Sequence, residues 1–127
     1  MITDKITFKS PNIEVKIDIN IYLGNSHFFL VMVGLGGSCI GFNSKYEKIA
    51  TNANNKYGCT VVVASTPELS WMHAKDNFKH IIEYIDSFAL KNDFSDYDIS
   101  IFGNSHVRYI CNLVFLSIPS DKKIVDC

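Results

Sequence analysis

The sequence predicts an α/β fold: a mixed sheet with an N-terminal antiparallel hairpin, parallel central strands, and helices on both faces. Three observations predict it. The first 22 residues alternate apolar and polar side chains around one turn, and three later segments are apolar almost without a break. Between and after those segments, apolar residues recur at the helical period.

Residues 2–8 and 13–22 carry the two-residue period, with Ile13, Val15, Ile17, Ile19 and Ile21 on one face. Ser10-Pro11-Asn12 turns the chain between them, giving an antiparallel hairpin with one face in water. After Leu23-Gly24-Asn25-Ser26 the alternation disappears, so residues 27–33 read as a central strand covered on both faces. That strand runs into Gly34-Leu35-Gly36-Gly37-Ser38. Asn43 or Ser44 can cap a helix carrying Tyr46, Ile49, Ala50, Ala53 and Tyr57 on one face, and Gly58 stops it.

Residues 59–65 form a second covered strand, with a loop at Thr66-Pro67. The next helix begins between Trp71 and Asp76. Phe78, Ile81, Ile82, Ile85, Phe88 and Ala89 make its apolar stripe, while Lys79, Glu83 and Asp86 point away. A third covered strand spans residues 97–102 and breaks at Gly103-Asn104-Ser105. Val107, Ile110, Cys111, Val114, Phe115 and Ile118 return to helical spacing, Pro119 ends that helix, and residues 123–126 open another strand.

The 127 residues, 47% hydrophobic and 20% charged, suit one packed domain spanning residues 1–127. A formal charge of −1 offers no cationic surface for phosphate backbones, so nucleic acid is not an expected partner. The N-terminal segment has no uninterrupted apolar stretch of the secretory kind, and a cytoplasmic location is expected. The apolar runs 28–33 and 113–116 are too short to span a membrane. Cys39, Cys59, Cys111 and Cys127 show neither CxxC nor zinc-ligand spacing, so reduced thiols are expected, at least two of them buried, with no metal and no cofactor.

Parallel sheets of this kind bind ligands outside the carboxyl ends of their strands, where residues 34–38 and 103–107 both fall. Ser105 lies between a strand and an amphipathic helix, two residues after Gly103. A tight turn there lifts its hydroxyl above the sheet, and the helix N-terminus supplies unpaired N–H groups suited to an oxyanion.

Gly103-Asn104-Ser105-His106-Val107 resembles the G-x-S-x-G nucleophile elbow of α/β-hydrolases, and Gly34-Leu35-Gly36-Gly37-Ser38 resembles the H-G-x-G-G-S loop after their third strand. The order of elements is similar as well. The resemblance covers essentially the whole chain but only the N-terminal part of a family member, stopping before the acid and His of the triad. It implies Ser105 as nucleophile, the backbone N–H groups of Leu35 and His106 as oxyanion hole, and Gly34, Gly36, Gly37 and Ser38 as binding loop. The implied substrate is a small acyl compound: an ester, thioester or amide.

The chain departs from the family pattern in three ways. Val33 stands where the family has the His of its H-G pair, and Val107 replaces the last glycine of the elbow with a crowding β-branched side chain. After Ser105 the sequence has Asp121 and Asp126 but only His106, which is adjacent to the nucleophile and poorly placed to take its proton. A serine without a base is a weak nucleophile, so impaired or absent activity is expected.

Other readings accompany this one. Ser105 also suits a simple helix cap. The strand followed by Gly34-Leu35-Gly36 opens like a dinucleotide fingerprint, but Cys39 occupies the third glycine position and Ala64-Ser65-Thr66 lacks the ribose-binding acid. A non-catalytic interaction module or fragment is the third reading, with a homo-oligomer formed through an exposed sheet edge. His27 and His80 read as surface residues, His73 as a residue near the cleft, and Trp71 and Met72 as cover for the sheet edge.

Overall fold

Alternating side chains make the N-terminal hairpin. In the computed structural model, which describes residues 1–10, 12–35, 37–66, 71–103 and 124–126, β1 (Ile2–Ser10) pairs antiparallel with β2 (Ile13–Tyr22) along its whole length. Val15, Ile17, Ile19 and Ile21 are buried, and Lys16 and Asp18 between them are exposed. The remaining elements are β3 (Asn25–Leu35), a 3-10 turn (Phe42–Ser44), α1 (Lys45–Tyr57), β4 (Cys59–Thr66), α2 (Trp71–Lys91), β5 (Asp98–Phe102) and β6 (Ile124–Asp126).

The six strands form one sheet in the order β1-β2-β4-β3-β5-β6. β2 meets β4 antiparallel, while β4, β3, β5 and β6 run parallel. This is the predicted α/β class. Passing from β3 to β4 moves one way across the sheet and passing from β4 to β5 moves the other way. Right-handed crossovers therefore put α1 and α2 on opposite faces.

Side-chain parity divides the core accordingly. Phe28, Leu30 and Met32 join the β2 isoleucines, Val62, Ala64, Ile99 and Ile101 beneath Phe78, Ile81, Ile82, Ile85 and Ala89 of α2. Phe28 is fully buried there, edge-on to Phe88, Phe94 and Tyr97 with ring centroids 6.3, 5.8 and 5.4 Å away. Emptying such a site costs about 3–5 kcal/mol for Phe to Ala, because transfer and cavity terms add. On the other face Val31, Val33, Val61 and Val63 pack with Cys39, Cys59 and Ala50 and Ala53 of α1.

One junction ties three elements together. Gly58 ends α1 in the left-handed conformation (φ 68°), its N–H donating to Asn54 O at 3.0 Å. The Asn54 side-chain amide donates to Leu23 O (3.1 Å) and Cys59 O (2.9 Å), and Asn25 N–H donates to Gly58 O (2.8 Å).

Several boundaries differ from the sequence expectations. β3 continues through Gly34 to Leu35, where Leu35 pairs with Thr66 after a register shift. Ser44 stands at the N-cap of α1, yet its backbone is left-handed (φ 57°) and its side chain makes no capping bond. Tyr57 is 66% exposed rather than part of the inner stripe. Among the described residues the two faces of β5 are unequally covered: Ile99 and Ile101 are buried under α2, whereas Asp98 and Ser100 are half-buried and Phe102 is 44% exposed. The reason is reach, since α1 packs over β4, β3 and β2. Among the described residues no helix is long and apolar enough to cross a membrane.

Candidate functional site

Parallel pairing of β3 and β5 brings their carboxyl ends to one rim. The pairing runs from His27–Asp98 to Val31–Phe102, and β3 then continues four residues past that last pair to Leu35. Gly103 follows β5 immediately and is half-buried. The chain segments leading to the glycine-rich loop and to Ser105 thus leave the sheet from adjacent strands.

Side-chain hydrogen bonds fix the rim around β3 and β4. Thr66 Oγ1 donates to Val33 O at 2.8 Å, joining the two strand ends. Asp18 N–H donates to Ser65 Oγ at 2.8 Å, which anchors β2 to β4. The chain leaving β3 is held by Cys39, whose Sγ lies 3.2 Å from Asp18 O and 3.5 Å from Val63 O. Ser38 Oγ accepts from Gly41 N–H at 3.1 Å, so this side chain shapes its own loop.

The thiols here are structural. Burial, reinforced by the charge of Asp18, pushes the Cys39 thiol from an ordinary value of 9.0 up to about 11, and burial also raises Cys59. Neither is a nucleophile at neutral pH. Both are free cysteines, and among the described residues no cluster of His, Cys, Asp or Glu has the makings of a metal site.

Of the sequence-predicted site residues, Gly34 and Leu35 lie at the end of β3, not in the loop, while Gly37 and Ser38 lie in the loop that follows. Ser105, His106 and Gly36 fall outside the described residues, as do Val107 and the helix expected after Ser105.

Two histidines are more engaged than their sequence context suggests. His80 stacks on Phe8 with ring centroids 3.8 Å apart, closing the hairpin against α2. His27 contacts the Asp98 carboxylate through Nδ1, and its Nε2 is 3.3 Å from Ser100 Oγ. The signal for this trio was faint: a polar residue opening an apolar strand, whose partner emerges only from the β3–β5 register.

α2 begins near the same rim and contributes Asn77, 6% exposed, on the sheet-facing stripe one turn before Ile81. Among the described residues, its Oδ1 is buried without a hydrogen-bond partner. Beside it, Asp76 Oδ2 accepts from Ser10 Oγ at 2.6 Å, pinning the start of α2 to the hairpin.

No protein-family profile and no curated protein sequence matches the chain. Among solved structures, it is similar to a presumed hydrolase from Agrobacterium vitis S4, with a TM-score of 0.62 at 11% identity. The match covers 98% of this chain and 49% of the other, so the chain spans about half the length of that protein. At that identity the likeness concerns the fold.

Proposed function

We propose that the chain carries the nucleophile-bearing half of a serine hydrolase of the α/β-hydrolase type. In this reading Ser105 transfers the acyl group of an ester, thioester or amide, and the N–H groups of Leu35 and His106 hold the oxyanion. The observation that carries the reading is the sheet itself: β2 antiparallel to β4, the order β1-β2-β4-β3-β5-β6, and the carboxyl ends of β3 and β5 on adjacent strands at one rim. The likeness to half of a presumed hydrolase supports it.

Chemistry limits what this half can do. The serine needs a base and an acid to orient it, and after Ser105 the sequence contains one His, at position 106. His106 adjoins the nucleophile and would face away from its hydroxyl. We therefore expect Ser105 to be a weak nucleophile in this chain, with turnover dependent on a base supplied from elsewhere.

A fluorophosphonate probe tests the assignment. Labelling that maps to Ser105 and vanishes in Ser105→Ala is the expected sign of a functional elbow. Complete resistance of Ser105 at saturating probe would refute acyl transfer through Ser105 in this chain and leave the fold likeness alone.

A further inference from the structure

At the opposite rim, the amino-terminal ends of β3 and β5 gather three residues that the crevice does not use. In the parallel register His27 stands beside Asp98 and Phe29 beside Ser100, so His27, Asp98 and Ser100 share the face that α1 leaves uncovered. Asp98 Oδ1 contacts His27 Nδ1, and His27 Nε2 lies 3.3 Å from Ser100 Oγ. Carboxylate to Nδ1 and Nε2 to hydroxyl is the connectivity that lets an imidazole take a serine proton while the carboxylate fixes its tautomer. The order of the contacts sets the roles.

The base and its carboxylate are open to solvent, and Ser100 beside them is half-buried. The His27 and Asp98 side chains are 40% and 47% exposed, and with Asn25, Ser26, Asp96 and Tyr97 they line a depression of about 490 Å³. On the other side of Ser100, along the same face, lie Phe29 and Phe102, their ring centroids 6.2 Å apart. An aryl group can rest against that pair.

We propose that Ser100, His27 and Asp98 form a second nucleophilic site, independent of Ser105, which accepts the acyl group of activated aryl esters. Ser100 Oγ bonds to the carbonyl carbon as its proton passes to His27 Nε2, while the Nδ1 proton stays on the ring against Asp98. The tetrahedral adduct collapses, the carbon–aryloxide bond breaks, and the aryloxide leaves as the phenol with the proton from Nε2. Water then attacks the acyl-serine, giving its proton to Nε2; the carboxylic acid departs and Ser100 Oγ regains a proton. Ser100 lies within the sheet, paired on both sides, with Phe29 and with Asp126, so the site is assigned no oxyanion hole. Substrates are thereby confined to those with good leaving groups.

Mapping the adduct of a fluorophosphonate tests this directly. The tryptic peptide 92–108 holds Ser95, Ser100 and Ser105, so fragment ions must separate them. We expect a Ser100 adduct in the wild type and in Ser105→Ala, reduced about tenfold or more in His27→Gln and Asp98→Asn. A nitrophenolate burst from p-nitrophenyl acetate should disappear in Ser100→Ala. Absence of a Ser100 adduct in the wild type overturns the proposal, and so does an adduct undiminished in a folded His27→Gln. Labelling of Ser105 alone would leave the elbow reading standing and this one refuted, and labelling of Ser100 alone would do the reverse.

Discussion

The amide oxygen of Asn77 is buried and, among the described residues, has no donor to accept from. A buried acceptor without a donor costs about 1–3 kcal/mol, whereas an apolar side chain of similar volume carries no such penalty. Asn77→Leu should raise the unfolding free energy by about 1 kcal/mol, read as a higher urea midpoint with an unchanged slope. Cys39 argues from the opposite direction, being a polar group whose neutral form the fold prefers. Its folded value of about 11 exceeds the ordinary 9.0, so the native state holds the proton that the unfolded chain releases. The contribution is complete below pH 9 and declines as pH rises toward 11. Tyr84, raised by burial and by the Asp4 carboxylate that its hydroxyl meets at 2.6 Å, adds a decline of the same sign. Cys39→Ala should flatten the alkaline part of a stability-versus-pH curve, and an unaltered slope would contradict the account. Single residues were also where the sequence was least legible. His27 and Asp98 are 71 positions apart, and no local pattern announces a pair that a strand register creates.

Glycines at element ends act through two different physical causes. A Cβ on Gly24 would lie 2.3 Å from Gly58 O and 2.5 Å from Cys59 O, so Gly24→Ala must push apart the turn after β2 and the start of β4. At Gly58 there is room, the nearest atom being Asn25 Nδ2 at 3.6 Å, and the cost is that of a left-handed backbone. We expect a loss of about 3 kcal/mol for Gly24→Ala and about 1 kcal/mol for Gly58→Ala, measured by thermal or urea unfolding. Equal losses would contradict the distinction. Elements themselves were largely legible: the hairpin, the apolar strands β3 and β4, the stripe of α2 and the Gly58 stop all follow from period and turn chemistry. The ends were not. Leu35 stays in the sheet because Thr66 continues β4 beside it, and the Ser44 side chain cannot cap because Asn43 and Ser44 both turn left-handed before α1. Those are tertiary and backbone facts with no side-chain period.

At the scale of the molecule, the two faces are unequal. The α2 side gathers large side chains from β2, β3, β4 and β5, while the α1 side is narrower and leaves Phe102 and the β5 face open. β1 at one edge carries Asp4, Lys5 and Lys9, charges that discourage pairing with another strand. β6 at the other edge is three residues long beside β5. We expect self-association through the β6 side, seen as a doubled mass in light scattering. A monomer at every concentration would exclude it. The parallel centre of the sheet was legible at this scale, because alternating strand and helix units dictate carboxyl ends on one rim once their order is known.

The sheet does not follow chain order, and this shapes how the protein must be made. β2 is completed by β4, so Ile19 waits for Ala64 to emerge from the ribosome after β3 and α1. During that interval the nascent hairpin presents an open ladder and a bare row of isoleucines, the kind of surface on which two growing polypeptides join. Slowing translation between β3 and β4 should therefore raise the fraction recovered as aggregate, whereas a holdase chaperone supplied during synthesis should lower it.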